Sequence, residues 1–477
     1  MLSRKRHRVS TYGDPLKCSD LRSPIVIPAT FRFETSERRS VIDPVFERVR
    51  GCRRFHEVKM RALTSIAIVA FMGLPLVAGT IPVGKPEEVG LSSERLKRIG
   101  EAVQRHIDAG NVAGAVTLVA RRGRIAHLEA RGMMDLESKK PMPKDGLFRL
   151  ASMSKPITGV AIMMLVEEGK VRLNDPVSRF IPEFKGLDKV AVAKPGAPPP
   201  AQGAEAAYDL VPATRPITIA DLLKHGSGLV SGGPGASAAA RIAPRTPTDT
   251  LATYIPKLAA VPLDFQPGTL WRYSGQAGFD VLSRLVEIVS GQTFDAFLRQ
   301  RLFDPLGMKD TGFFPGPGKD SRLVTIYQLT PNGLRPGNQT VSNVYFSGAG
   351  GLMSTAEDYL QFAQMMLNEG QLNGRRFLGP RTMQLMVSNH TGDMVNGQFG
   401  RPAQGMGFGL SMQVVQDPVA ANLRVSKGAY GWAGGTGVSF WVEPAEQIVS
   451  IYFIQGGSGG ALRQDFENAV YQSIVTP

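Results

Sequence analysis

The two ends of this chain carry the same kinds of element in mirrored order, and that symmetry restricts the fold more than anything between them. "LSSERLKRIGEAVQRHIDAG" opens on Ser92 and Ser93 as caps, lines Leu96, Ile99, Val103 and Ile107 along one helical face, and stops at Gly110. "AGAVTLVARRGRIAHLEARG" follows as two strands around a turn at Arg122-Gly123. Near the far end, "GVSFWVEPAEQIVSIYFIQ" reads as a second hairpin turning near Pro444, and "ALRQDFENAVYQSIV" closes the chain as an amphipathic helix. The economical arrangement is one antiparallel sheet built from both chain ends and flanked by the terminal helices. Between them the pattern is mostly helical, so the predicted class is α/β, with a sheet lobe, a helical lobe and a cleft between. Ala191 to Pro216 is predicted as a loop, being Pro/Ala-rich and aperiodic, and "SGGPGASAAARIAPRTP" (Ser231 to Pro247) as a looser second one. No internal repeat is visible.

At 477 residues and 43% apolar content the chain can bury a full core. Its formal charge of +14 would suit a nucleic acid or an anionic membrane, but the charge is unevenly placed. Met1 to Lys59 holds 14 Lys+Arg against 7 Asp+Glu, which is +7 of the total, so the remaining 418 residues are only mildly basic. Without aromatic and basic residues interleaved on strands, nucleic-acid binding is not expected. Both cysteines, Cys18 and Cys52, fall in that leader, so nothing downstream can form a disulfide, a thiolate nucleophile or a cysteine-based zinc site. No metal and no cofactor is expected.

"MRALTSIAIVAFMGLPLVAGTIPVG" then has the layout of an export signal: Arg61 first, an apolar run peaking between Ile66 and Val77, a break at Pro75, and small residues at Ala78 and Gly79. The reading is a leader over 1–59 that is not made or not ordered, a signal peptide over 60–79, and a hydrolase domain over 80–477 that is periplasmic or secreted. An uncleaved anchor over 62–83 is the alternative, and it alone would bring in a membrane.

The chemistry is concentrated at "FRLASMSKPITGVAIMMLVEEGK". Ile157, Val160, Ala161, Met164 and Leu165 form a core-facing helical stripe, and Pro156 is tolerated only in a first turn. Ser152 therefore stands near a helix start, at the positive end of the dipole and beside free N–H groups that can hold an oxyanion. Lys155 lies one turn deeper on the same face. Locally, a capping serine followed by a solvated lysine fits as well. A lysine acting as base near neutrality needs its pKa lowered by roughly 3 units, about 4 kcal/mol, through burial and neighbouring groups. Tyr273, at a Gly/Pro-rich turn before a periodic helix, and the Gly-rich bend in "YGWAGGTGVSFWVEP" are candidates to help. "GGSGG" around Ser458 has the spacing of a nucleophile elbow, but no histidine follows it, His390 being the last. His106, His127 and His225 lack metal-ligand spacing and read as structural.

Taken in order, these segments resemble the penicillin-recognising serine hydrolases: class C β-lactamases, D-alanyl-D-alanine carboxypeptidases and the esterases that share their fold. The resemblance runs from about Ser92 to Gln455 and rests on "SMSK" (Ser152 to Lys155), "YSG" (Tyr273 to Gly275) and "WAG" (Trp432 to Gly434), with "ITIADLLKHGSGL", "PGTLWRYS", "DPLGMKDTGF" and "GAGGLMSTAEDYLQF" between. It implies Ser152 as nucleophile, Lys155 and Tyr273 as a coupled acid–base pair, the Ser152 and Gly435 amides as oxyanion donors, and Trp432 and Gly434 in the substrate cleft. The β-lactam- and peptide-cleaving members have an asparagine where Gly275 stands and a lysine where Trp432 stands. Losing a carboxylate-binding cation forfeits a contact worth about 1.5–3 kcal/mol. The resemblance therefore implies an esterase acting on uncharged, short-chain carboxylic esters, with β-lactamase or D-peptidase activity as the alternative.

Overall fold

The computed structural model describes residues 79–186, 189–196, 205–342, 344–395 and 404–476. The basic leader, its two cysteines and the apolar run over 60–78 lie outside them. The first helix, α1 (Ser93–Asp108), begins where the cap predicted it, Ser92 Oγ accepting from the Arg95 amide. Strands β1 (Gly114–Arg121) and β2 (Arg124–Asp135) pair antiparallel across the Arg122-Gly123 turn, and a short β3 (Lys140–Pro141) continues that edge.

Among the described residues, two expected loops are ordered elements instead. Strands β4 (Lys189–Ala193) and β5 (Tyr208–Pro212) form a hairpin with Val190 opposite Val211. Only Val190 and Ala191 of it are buried while Val192 and Leu210 stay exposed, so the strands carry too little alternation to be legible. Pro234–Ile242 is a helix, with Pro234 in its first turn and an alanine run that favours helix without making a strong apolar stripe.

The sheet is completed by strands from the other end: β6 (Met406–Phe408), β7 (Gln413–Val415), β8 (Tyr430–Ala433), β9 (Ser439–Glu443) and β10 (Ile448–Phe453). Its order is β6-β7-β8-β9-β10-β1-β2-β3, so the two ends of the chain meet at the β10–β1 pair, Leu118 facing Ile451 across the register. All eight residues of β1 are buried because both of its faces are covered. One face, through Ala115, Val119 and Tyr452, packs on α1 and on the last helix (Gly460–Gln472) by way of Leu96, Ile99, Leu462 and Phe466. The other, through Val116, Leu118, Ile451 and Phe453, joins the main core.

Arg121 at the end of β1 clasps both termini. Its buried guanidinium donates to the carbonyls of Val89, Gly90 and Thr476 and to the Glu446 carboxylate at 2.7 Å. Three further helices matter for the site: Ser154–Glu167, Ala277–Ser290 and Ala356–Leu367, below called the lysine helix, the tyrosine helix and the loop helix.

Candidate active site

Ser152 does not sit in the lysine helix itself. It lies in a one-turn 3₁₀ segment, Ala151–Met153, and the α-helix starts two residues later at Ser154. Ala151 takes a left-handed backbone (φ 44°), a conformation that disfavours any residue with a Cβ and that turns the chain sharply into the serine. The segment is held from behind. Met153 O accepts from the Tyr359 hydroxyl at 2.9 Å, the Leu150 amide donates to Leu352 O, and Ser154 Oγ accepts from the Leu352 amide.

Lys155 is fully buried, so the reading of a solvated lysine is excluded. Its ammonium donates to Gly275 O at 2.7 Å, to Ala349 O at 2.8 Å and to Ser152 Oγ at 3.2 Å. Burial brings its pKa down to about 7, against the opposing pull of the Asp280 carboxylate. That matches the shift the chemistry needs. A neutral lysine has two N–H groups and one lone pair; with the two carbonyls taking the N–H groups, the lone pair is left for the serine hydroxyl proton.

Tyr273 reaches the same oxygen from the other side, its hydroxyl 2.7 Å from Ser152 Oγ. Burial pushes the phenol up to about 12, opposed by hydrogen bonding to Ser152 and Trp432, so it stays protonated and able to donate. Its ring lies on His225, centroids 4.5 Å apart. The His225 ring is fully enclosed, and Nδ1 accepts from the Ser274 amide; burial first and the nearby Lys155 charge second hold it uncharged. His225 is thus a neutral platform under the phenol, a structural part as its sequence context suggested.

The three residues open onto a cavity of about 320 Å³ lined by Ser152, Tyr273, Gln413, Trp432, Ala433, Gly434, Gly435, Trp441 and Arg463. All the residues that the resemblance assigned to the cleft therefore meet there except Lys155, which lies beneath the floor. Trp432 is 5% exposed, its ring 5.7 Å from Tyr273 and 5.2 Å from Phe408. Gly434 lets β8 run against the serine turn, since a Cβ there would strike the Leu150 carbonyl oxygen.

Four contributors were not anticipated. Trp441 from β9 and Gln413 from β7 widen the indole wall with an amide beside it. Arg463, from the first turn of the last helix, places a cation at the cavity where Trp432 had suggested none; it also faces Glu467 at 3.7 Å. The fourth is Asp280, buried in the tyrosine helix seven residues after Tyr273. It accepts from Tyr345 Oη (2.9 Å), Ser347 Oγ (2.6 Å) and the Ala349 amide (3.1 Å), and so holds the loop whose carbonyl binds Lys155. An aspartate among the apolar, core-facing positions of "AGFDVLSRLVEIV", beside Phe279 and Val281, was the available signal for it.

Known proteins share this family and fold. Residues 99–471 match the family model described as Beta-lactamase. The chain is 36% identical over 365 residues to Protein Rv1367c of Mycobacterium tuberculosis, covering 73% of this chain and 87% of that one. It is 31% identical over 390 residues to Esterase EstB of Burkholderia gladioli, covering 76% and 91%. Among solved structures, EstCE1, "a hydrolase with promiscuous acyltransferase activity", superposes with a TM-score of 0.66 at 28% identity, over 79% of this chain and 99% of that one. With a serine, a buried lysine and a tyrosine in mutual contact beside this sheet and a family match over most of its length, the chain belongs to the beta-lactamase family of serine hydrolases.

Proposed function

We propose that this protein hydrolyses carboxylic esters through a covalent acyl-enzyme on Ser152. One observation carries the reading: a lysine brought near neutrality and a protonated phenol both contact one serine oxygen, at the floor of a cavity walled by two indoles. Ser152 Oγ attacks the ester carbonyl as its proton passes to Lys155. The Ser152 and Gly435 amides take the oxyanion, and Tyr273 donates to the departing alcohol, regaining a proton from the lysine. Water then repeats the sequence in reverse and frees the acid. The apolar Trp432 and Trp441 favour an uncharged group in this cavity, and the likeness to EstB and EstCE1 supports an esterase over a β-lactamase or D-peptidase.

The test is mass spectrometry after a fluorophosphonate and, separately, a penicillin. One phosphonyl adduct on Ser152, with p-nitrophenyl butyrate turned over faster than nitrocefin, is the expected result. An adduct elsewhere removes the mechanism, and faster nitrocefin turnover reverses the substrate ranking.

The same proposal includes export to the periplasm or medium, supported by the signal-like run from Met60 to Gly79. N-terminal sequencing of protein recovered from an expressing Gram-negative host should then read from close to Thr80. A start at Met1 or Met60 counts against cleavage.

A further inference from the structure

A second cavity, of about 250 Å³, shares no lining residue with the indole-walled one. Its position follows from the backbone. Gly275 O and Ala349 O hold the Lys155 ammonium, and the residues that follow them, Gln276 and Gly350, both line this second space. Gly350 also packs on Ala151, the residue before the nucleophile, whose backbone supplies the three atoms nearest to where a Cβ on Gly350 would stand.

The lining is cationic. Arg149 and Arg245 both contribute to it, together with Gln276, Thr340 and Ser342. Neither arginine forms an ion pair with a carboxylate among the described residues. Arg149, half-buried, donates to Val324 O at 3.1 Å and Gln339 O at 2.8 Å, and its buried Nε has no hydrogen-bond partner. Arg245 is exposed, and its guanidinium lies over the Tyr345 ring at 4.4 Å, which orients it without neutralising it. Asp280, which accepts from the lining residues Tyr345 and Ser347, is already engaged by three donors. Carbonyls can satisfy a guanidinium's donors but cannot cancel its charge, so the cavity keeps a net positive lining for an anion to meet.

We propose that this cavity is a second substrate subsite, which receives a carboxylate borne by the half of the ester that lies away from Trp432. The preferred substrate class is then a half-ester, one end apolar against the indoles and the other anionic between Arg149 and Arg245. This rests on the ester-hydrolase reading and adds to it, since the indoles select for lack of charge and Arg463 in their cavity already faces Glu467, whereas Arg149 and Arg245 have no carboxylate partner among the described residues.

Two matched pairs test it and show which half is anionic: mono-p-nitrophenyl glutarate against p-nitrophenyl pentanoate, and 4-acetoxybutanoate against butyl acetate. In one pair the charged ester is expected to have at least a tenfold higher kcat/KM. Arg245→Glu should lower that charged-to-neutral ratio by about tenfold or more, and Arg149→Met should lower it in the same direction. Equal turnover within both pairs, or variants that leave the ratio where it was, overturns the subsite. Calorimetry of monomethyl glutarate and methyl pentanoate on Ser152→Ala protein gives a readout independent of turnover. Preferential binding of the acid, abolished by Arg245→Glu, upholds the subsite even if no ester is hydrolysed; equal binding rejects it even if esters are.

Discussion

Lys155→Met is expected to lower kcat/KM for a short acyl ester by about a hundred- to ten-thousandfold, the range that a positioned general base supplies. Methionine nearly fills the same volume but brings no lone pair to Ser152 Oγ and no donor to Gly275 O or Ala349 O. The pH profile of the unaltered protein gives the matching signature. With burial setting the lysine near 7, activity should rise through an acid limb around that pH, because the protonated form below it cannot accept the serine proton. The charged or titratable groups facing this ammonium are Asp280, Tyr273 and His225. Tyr273 titrates only at about 12 and His225 is held neutral, so neither adds a limb between pH 7 and 10. The same shift affects stability. Between about 7 and the model-peptide value of 10.5 the unfolded chain holds a proton on this lysine that the folded chain has released. Stability should therefore gain from this group as pH rises across that window, its penalty being full below 7. A flat kcat/KM profile from pH 5 to 10, or a Lys155→Met protein within tenfold of the original, would remove the lysine from the base role.

Asp280→Ala is the second large effect. The substitution leaves the Tyr345 hydroxyl, the Ser347 hydroxyl and the Ala349 amide without their buried acceptor, at about 1–3 kcal/mol for each group left unsatisfied. A drop of about 3–5 kcal/mol in unfolding free energy is expected, measured by urea denaturation. The activity loss should reach about a hundredfold, since the loop bearing Ala349 O no longer fixes the lysine and small misplacements are expensive in rate. Asp280→Asn separates charge from shape. It keeps an acceptor oxygen but removes the negative charge that holds the lysine's pKa up, so the acid limb should move to lower pH while kcat falls less than in the alanine variant. An Asp280→Asn limb that stays in place, or moves up, would show that Asp280 acts on the loop alone.

The sheet was readable because each of its strong strands is short, apolar and bounded by turn residues. Val116 to Ala120 and Ile448 to Phe453 are buried on both sides, which leaves near-continuous apolar runs whatever the partner. The β4–β5 hairpin was missed for the converse reason: it rests on the surface, buries two residues, and its alternation disappears into a Pro/Ala-rich background. Around the nucleophile, Ser152, Lys155 and Pro156 announce a helix start through local sterics alone, whereas the 3₁₀ turn with its left-handed Ala151 lies against Gly434, from a strand far along the chain, where a Cβ would strike Leu150 O.

From its residues alone this chain declared the hairpins and helices at its two ends and the serine and lysine one turn apart, and its resemblance to a family implied the indole standing at Trp432 in place of a cation. The hairpins, the helices and the serine–lysine step are matters of spacing within a few turns of chain, and periodicity and steric exclusion act at that range. Only the folded chain decided that Lys155 is dry, that Tyr273 touches the serine oxygen across 121 positions, that Asp280 holds the loop bearing Ala349 and Arg463 lines the serine cavity, and that Arg149 and Arg245 meet at a second one. Burial and through-space charge come from segments far apart in sequence, and no pattern local to any of them encodes where the others arrive.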